Sequence, residues 1–262
     1  MRIALGISYN GQAYQGWQSQ LGGLTVQDKL EAALGRFCSQ SRVSTLCAGR
    51  TDAGVHGLMQ VVHFDTPLER DESSWVRGPN SFLPADIAVQ WARVVPREFH
   101  CRSSAVSRRY CYVVLQSTVR PSVEAGRVGW VYHPLDLQAM QTSAQALLGE
   151  HDFTSFRASA CQALSPVKNL LQIQIAQKGG LWRFDFEANA FLHHMIRNIM
   201  GCMVAVGQHK KPPEWMQQVL DAKSRDVAAP TFAADGLYFL GPRYEAHWNL
   251  PERTPAYDWL PS

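Results

Sequence analysis

Most of what would mark a secreted, membrane-spanning or metal-stapled protein is missing from this 262-residue chain. There is no CxxC pair: Cys38, Cys47, Cys101, Cys111, Cys161 and Cys202 are scattered, which argues against a zinc site and for reduced thiols, most of them small core residues. No run approaches the roughly 20 apolar residues of a membrane helix. The start, Met1-Arg2-Ile3-Ala4-Leu5-Gly6, turns polar too soon for a signal peptide, so the expected location is cytoplasmic and off the membrane. No block of one charge sign occurs, and 25 basic against 22 acidic residues leave only +3. Lysine is scarce. Nineteen of the 25 basic residues are arginine, whose planar fork suits phosphate and stacks on bases, a bias that favours an RNA partner. Repeats, low-complexity tracts and an obvious linker are absent too. What is present, 46% hydrophobic and 18% charged residues, excludes wholesale disorder and suffices for one large or two modest cores.

Alternation defines the first element: Ile3, Leu5, Ile7 and Tyr9 alternate with smaller or polar partners and predict a strand over Arg2 to Tyr9. Asn10-Gly11 turns it. Thr25, with Asp28 three residues on, caps a helix that carries Val26, Leu30, Ala33, Leu34 and Phe37 on one face. Strands at Val43–Cys47 and Met59–Asp65 flank a glycine-rich loop, followed by a helix from Glu72 to Ser81 and a strand at Ile87–Val95. That order is the ferredoxin-like arrangement. A second set follows: a strand from Arg108 to Leu115, a helix capped by Asp136 and stopped by Gly149, and strands Leu170–Ala176 and Leu181–Ala188 joined at Lys178-Gly179-Gly180. Helices at His193–Val206 and Pro213–Ala222 and a strand at Gly236–Tyr244 complete it. The expectation is an α+β fold of two ferredoxin-like (split βαβ) halves, residues 1–104 with the loop and residues 105–250, sharing one mostly antiparallel sheet with a central cleft. Residues 251–262 form a C-terminal extension.

The loop Ala48-Gly-Arg50-Thr-Asp52-Ala-Gly-Val-His56-Gly57 concentrates the chemistry. Glycines allow backbone angles and close approaches that a side chain forbids. An aspartate there can act as nucleophile, base or electrostatic stabiliser. A Gly/Asp/Thr-rich stretch between strands can equally be a turn, but Arg, Thr, Asp and His together exceed what a turn requires. In the segment Asn189 to Gly201, Arg197 lies among Leu192, Met195, Ile196, Ile199 and Met200. A buried unpaired charge costs several kcal/mol, so Arg197 either snorkels to solvent or pairs, with Asp52 the candidate. The adjacent His193 and His194 would point about 100° apart on a helix and are poorly placed to share a metal. Arg108-Arg109-Tyr110-Cys111-Tyr112 and Phe99-His100-Cys101-Arg102 mix bases with aromatics, and Tyr14-Gln15-Gly16-Trp17-Gln18 is an aromatic, glutamine-rich loop. Each alone reads as core or sheet surface; together they suit RNA, whose bases stack and whose phosphates pair.

These motifs, in this order, resemble the tRNA pseudouridine(38–40) synthases. The resemblance runs from Tyr9 to Tyr244 and takes in Tyr9-Asn10-Gly11, Gly16-Trp17-Gln18, the Asp52 loop, Phe99 to Arg102, Arg109 to Tyr112, His151 to Arg157, Asn189 to Gly201 and Gly236-Leu-Tyr238. It departs at Asn10, where the family often has Asp, and at Gly57, where it often has Ala; neither touches the presumed catalytic groups. The resemblance implies that Asp52 is the essential catalytic residue and that Arg50 helps extrude the target nucleotide and takes its place. It implies that Tyr110 packs on the uracil and that Arg197 pairs with the aspartate. Substrate contacts are expected from Tyr110, Arg50, His56 and Arg102. It further implies the pseudouridine synthase fold, no cofactor and no metal, and a homodimer on which one tRNA bridges both subunits.

The chemistry agrees with these residue types. Converting uridine to pseudouridine breaks C1′–N1 and forms C1′–C5 with no redox change, and needs an ionised carboxylate in a dry pocket. A nearby arginine favours the charged form. Attack at C1′, addition at C6 and removal of the C2′ proton are all open to Asp52. Flipping the nucleotide costs a few kcal/mol, which Arg50 and a stacking tyrosine would offset. Two rivals are weaker. A non-catalytic RNA-binding module predicts RNP-like aromatic patterns, and none occurs. A glycoside or nucleoside hydrolase ordinarily needs a second carboxylate, and none accompanies Asp52 in its motif.

Overall fold

The computed structural model describes residues 1–252; most of the expected C-terminal extension, from residue 253 on, lies outside the described residues. The chain divides into two compact units, Met1–Arg108 together with the segment that begins at Tyr238, and Arg109–Leu237. Among the described residues no helix is long and apolar enough to cross a membrane.

The first unit holds β1 (Arg2–Tyr9), α1 (Val26–Cys38), β2 (Leu46–Cys47), β3 (His56–Asp65), α2 (Glu72–Asn80) and β4 (Ile87–Val95). β1 is antiparallel to both β3 and β4, and β2 is antiparallel to β3. The order β4-β1-β3-β2 is that of a split βαβ sheet. Both faces of β1 are buried. Ile3, Leu5 and Ile7 join Leu30, Leu34 and Trp75 in one cluster, while Ala4 joins Met59, Trp91 and Phe99 in another, against which Tyr244 and Trp248 pack. The small partners in the β1 alternation therefore make room: a Cβ on Gly6 would lie 2.2 Å from the Trp91 indole.

The anticipated cap forms as the sequence suggests, Thr25 accepting from the Asp28 amide while its hydroxyl donates to the Asp28 carboxylate. The strand expected over Val43–Cys47 pairs only over its last two residues. Upstream, the Thr45 amide and hydroxyl both donate to the buried Glu31 carboxylate, at 2.8 and 3.0 Å, so this backbone donor is not available to a ladder.

The second unit carries most of β5 (Ala105–Gln116), then β6 (Gly129–Val131), α3 (Leu137–Gln145), β7 (Gly149–Asp152), β8 (Val167–Lys178), β9 (Leu181–Ala188), α4 (Met195–Gly207) and α5 (Trp215–Ala222). Its strands run in the order β5-β9-β8-β7, with β6 parallel to β5. Along β9, buried Trp182, Phe184, Phe186 and Ala188 alternate with half-buried Arg183, Asp185 and Glu187, a period-two strand with one face in the core. β10 (Leu237–Tyr244) follows, all but its first residue in the first unit. Asp136 caps α3 as expected, but α3 ends at Gln145, and Gly149, at φ 95°, opens β7 rather than closing the helix. α4 begins at Met195 because His194 is left-handed, φ 62°. α5 begins at Trp215, after a turn built on the carbonyls of Pro212 and Pro213. The short β6 and β7 carry no alternation long enough to foretell them.

Candidate active site

The loop between β2 and β3 is held at nearly every backbone position. The β2–β3 register, Leu46↔His63 and Cys47↔Val62, is continued by the Ala48 amide donating to the Val61 carbonyl at 2.9 Å. The Gln60 side chain then bonds both backbone groups of Gly49. Thr51 is buried; its carbonyl accepts from the Trp17 amide at 3.0 Å, and its hydroxyl meets the Tyr9 hydroxyl at 2.8 Å. A turn closed by the Val55 amide on the Asp52 carbonyl, 3.1 Å, returns the chain to β3. Between these anchors Arg50 is exposed and Asp52 half-buried. The two side chains with chemistry to offer project from a backbone that cannot wander.

The flanking glycine motifs explain themselves here. Gly16 has φ +86°, and a Cβ on it would lie 2.7 Å from the Thr51 carbonyl and 3.1 Å from the Asp52 carbonyl carbon. Gly11 lies so close beneath Val55 that a Cβ would meet its carbonyl at 1.9 Å. The turn after β1, Tyr9-Asn10-Gly11, and the aromatic, glutamine-rich segment Gly16-Trp17-Gln18 are the bed on which this loop lies. Asn10 caps the short helical turn after β1 with its side-chain oxygen, a role Asp would fill equally. Gly57 is different: a methyl there would lie 2.4 Å from the Tyr9 ring, so this departure from the family pattern bears on a residue that holds Thr51.

His56 is buried at 3% exposure, with Nδ1 accepting from the Gly11 amide at 3.1 Å and its ring stacked on Tyr238 at 4.7 Å. Arg102 is exposed, yet its Nε donates to the Cys47 carbonyl at 3.3 Å, tying the Phe99–Arg102 turn to the root of the loop. Arg108 donates in turn to the Arg102 carbonyl. Arg50, Asp52, His56 and Arg102 thus belong to the first unit.

Tyr110 and Arg197 belong to the second. Tyr110, on β5, is buried with its ring edge-on to Phe191 at 5.2 Å. Arg197, on α4, exchanges two hydrogen bonds with Phe232: its Nε donates to the Phe232 carbonyl at 2.9 Å, and the Phe232 amide donates to its own carbonyl at 3.1 Å. Phe232 packs on Tyr112, two residues along β5 from Tyr110, and the Tyr112 hydroxyl donates to the Ala233 carbonyl. Burial pushes the Tyr112 phenol far above its ordinary range, against the nearby Arg197 charge, so it stays neutral. Asn198, next to Arg197, is fully buried; it donates to the Phe156 carbonyl at 2.8 Å and accepts from Thr231 and Arg225. Its place, one residue after an arginine in an apolar helix, was the only sequence signal of that role. Gln60, a buried polar residue beside the motif, has only one sequence signal, a glutamine inside the apolar run Met59 to Phe64.

His63, His100 and Cys101 put three possible ligand atoms within 4.8 Å of one another. As folded, they do not offer a cation its electrons. His63 Nδ1 accepts from the Cys101 amide at 3.3 Å, and His100 Nδ1 accepts from the Arg102 and Ser103 amides at 3.2 and 3.3 Å. Both Nδ1 atoms are thus already engaged by backbone amides. The Cys101 thiol, pushed up to about 12 chiefly by burial, donates to the Leu46 carbonyl at 3.2 Å.

A sequence profile described as tRNA pseudouridine synthase matches residues 6–102 and 143–245. The chain belongs to the tRNA pseudouridine synthase family. It is 71% identical over 261 residues to a protein of Albidiferax ferrireducens named tRNA pseudouridine synthase A, covering 100% of both chains. Proteins of the same name from Paracidovorax citrulli and Polaromonas naphthalenivorans are 68% and 69% identical, again over 100% of each chain. Among solved structures, an H/ACA RNP bound to a substrate RNA containing 2′-deoxyuridine aligns at TM-score 0.36 and 10% identity, over 77% of this chain and 44% of that one, a likeness too distant to bear on the chemistry.

Proposed function

We propose that this chain isomerises uridine to pseudouridine at positions 38, 39 and 40 of the tRNA anticodon stem-loop, cleaving C1′–N1 and forming C1′–C5 with Asp52 as the catalytic group. The observation that carries the reading is the Arg50–Asp52 loop, an exposed and a half-buried side chain on a backbone tethered on both sides, in a chain of this family. The loop's rigidity serves catalysis because a carboxylate held in near-attack geometry spares the reaction the entropy of finding it.

Each remaining residue takes the part its surroundings support. Arg50, exposed at the tip, fills the stack vacated when the uridine is flipped. Tyr110 packs on the uracil, and Arg197 takes the part of the arginine partner to the catalytic carboxylate. Arg102, exposed beside the loop, is a phosphate contact, and His56, buried, acts through the backbone it braces rather than by touching the substrate. As the resemblance implies, the reaction uses no cofactor or metal. The enzyme acts in the cytoplasm as a homodimer, with one tRNA bridging both subunits.

The test is tritium release from C5-tritiated uridine in a tRNA transcript, with the wild type and Asp52→Asn side by side. Asp52→Asn removes a charge at nearly constant volume, so it should bind tRNA and release nothing. Release by both proteins would clear Asp52 of its role; release by neither, from folded protein and a competent tRNA, would sink the isomerase reading. Product analysis adds a second arm, because a hydrolase would liberate free uracil and an isomerase none.

A further inference from the structure

Beneath the loop runs a buried polar chain that links both sides of Arg50. In the β2–β3 register the next pair after Cys47↔Val62 and the Ala48–Val61 bond is Gly49 with Gln60. The backbone ladder stops there, and the Gln60 side chain replaces it, its amide oxygen accepting from the Gly49 amide at 3.3 Å and its NH2 donating to the Gly49 carbonyl. Gln60 has no solvent exposure. The same side chain is a hydrogen-bond partner of the Tyr9 hydroxyl, whose other partner is the Thr51 hydroxyl at 2.8 Å. The chain of contacts is thus Gly49, Gln60, Tyr9, Thr51.

Three features of the sequence build it. A register shift between Ile7 and Tyr9 breaks the regular β1 pairing and re-aims Tyr9, as bulges beside active sites do. Tyr9 then stands opposite Gly57, where the missing side chain gives its ring passage, since a Cβ would come within 2.4 Å of it. Burial, opposed by the hydrogen bonds from Thr51 and Gln60, holds the Tyr9 phenol far above its ordinary range, so it remains a neutral hydroxyl that can donate and accept. The outer edge of β3 is shared, β2 pairing along Val62 and His63 and β10 along His56 and Gly57, and the loop leads from the end of β2 to the start of β3. On this edge the β2–β3 ladder ends with the Ala48–Val61 bond, and at Gly49 the Gln60 side chain takes over and sets the loop's height.

We propose that Tyr9, Gln60 and Thr51 are positioning residues for the reaction, a hydrogen-bonded bar that fixes the peptide before Asp52 and so sets where its carboxylate stands. The inference rests on Asp52 being the catalytic group. None of the three touches the substrate. They act through Asp52, and the bar works as a unit: removing either hydroxyl breaks the same contact. Thr51 is held at both ends, by Tyr9 at its hydroxyl and Trp17 at its carbonyl, so the loss of one tether lets the next residue swing about the other.

The test uses the full chain and near-isosteric changes, Tyr9→Phe and Thr51→Val, each deleting one hydroxyl, with Thr51→Ser as the change that keeps it. Single-turnover tritium release, KM for tRNA and thermal midpoint are measured for each, with Asp52→Asn as control. Tyr9→Phe and Thr51→Val should each slow turnover about tenfold while KM moves less than about twofold, as expected for a misplaced rather than missing group. Thr51→Ser should recover the rate, and Tyr9→Phe/Thr51→Val should be no slower than either single change. Full rates in both single variants overturn the proposal while leaving the isomerase reading intact, provided Asp52→Asn is inactive. A double variant slowed by the product of the two effects, a Thr51→Ser protein as slow as Thr51→Val, or rate losses that follow the thermal midpoint also overturn it. An active Asp52→Asn protein fails the functional reading itself.

Discussion

Single residues in this chain are set by their polar neighbours more than by their own chemistry. Glu31 is a buried carboxylate because the Thr45 amide and hydroxyl, Gln27 and Arg42 satisfy it; Asn198 and Gln60 are buried amides for the same reason. His63 is the case with a visible pH consequence. Burial first, then the Arg2 guanidinium and His100, push its pKa down to about 4, with Asp65 opposing. It is therefore neutral in the folded state wherever the unfolded chain's histidine, near 6.5, begins to charge. Above 6.5 both states are neutral and the group contributes nothing; as pH falls toward 4 the unfolded chain alone takes a proton, and stability declines by up to about 3 kcal/mol. The lowered carboxylates Asp28, Asp65 and Asp152 act in a different window, losing their contribution only as pH falls through 4 and below. Urea midpoints of wild type and His63→Gln between pH 7.5 and 4.5 should show a fall in the first and a flatter line in the second. Parallel curves would place the acid sensitivity elsewhere.

At the scale of elements, the period-two and capping signals were legible wherever an element buries one face or ends in a side-chain cap. β1, β4 and β9 match their expected bounds to the residue, and Thr25 and Asp136 cap where foreseen. The signals failed where a tertiary partner intervenes: Glu31 draws Thr45 away from β2, and a left-handed His194 delays α4. The glycine-rich loop was recognisable as special, but not what its neighbours were for. Gly16 makes that difference testable. Gly16→Ala must accept a positive φ and place a methyl 2.7 Å from the Thr51 carbonyl, whereas Gly23→Ala accepts a positive φ with nothing within 4 Å. The first should lose roughly 1–3 kcal/mol and most of its turnover; the second should lose about 1 kcal/mol and keep its activity. Thermal melts and tritium release on the two proteins give the comparison, and equal losses of activity would mean that the Gly16 contact does not support the loop.

Over the whole molecule, the thiols report how completely the cysteines were absorbed into the fold. Cys38, Cys47, Cys101, Cys111 and Cys202 are buried and their pKa values raised, by burial foremost. Cys161 alone is half-exposed; burial would raise its pKa, but amide donors from Ala163 and His193 and the Arg157 guanidinium outweigh it and draw it down. A native DTNB titration should therefore show one fast thiol and a denatured one six, with Cys161→Ser removing the fast phase; several fast thiols would contradict the packing. The sequence by itself determined the family and the α+β class and singled out Asp52 as the candidate carboxylate, because periodicity, caps and contiguous motifs are local and survive in one dimension. Only the tertiary structure decided what holds that aspartate in place. The partners of its loop come from residues 9, 11, 16, 17, 57 and 60, and hydrogen bonds between side chains so separated in the chain leave no spacing to read.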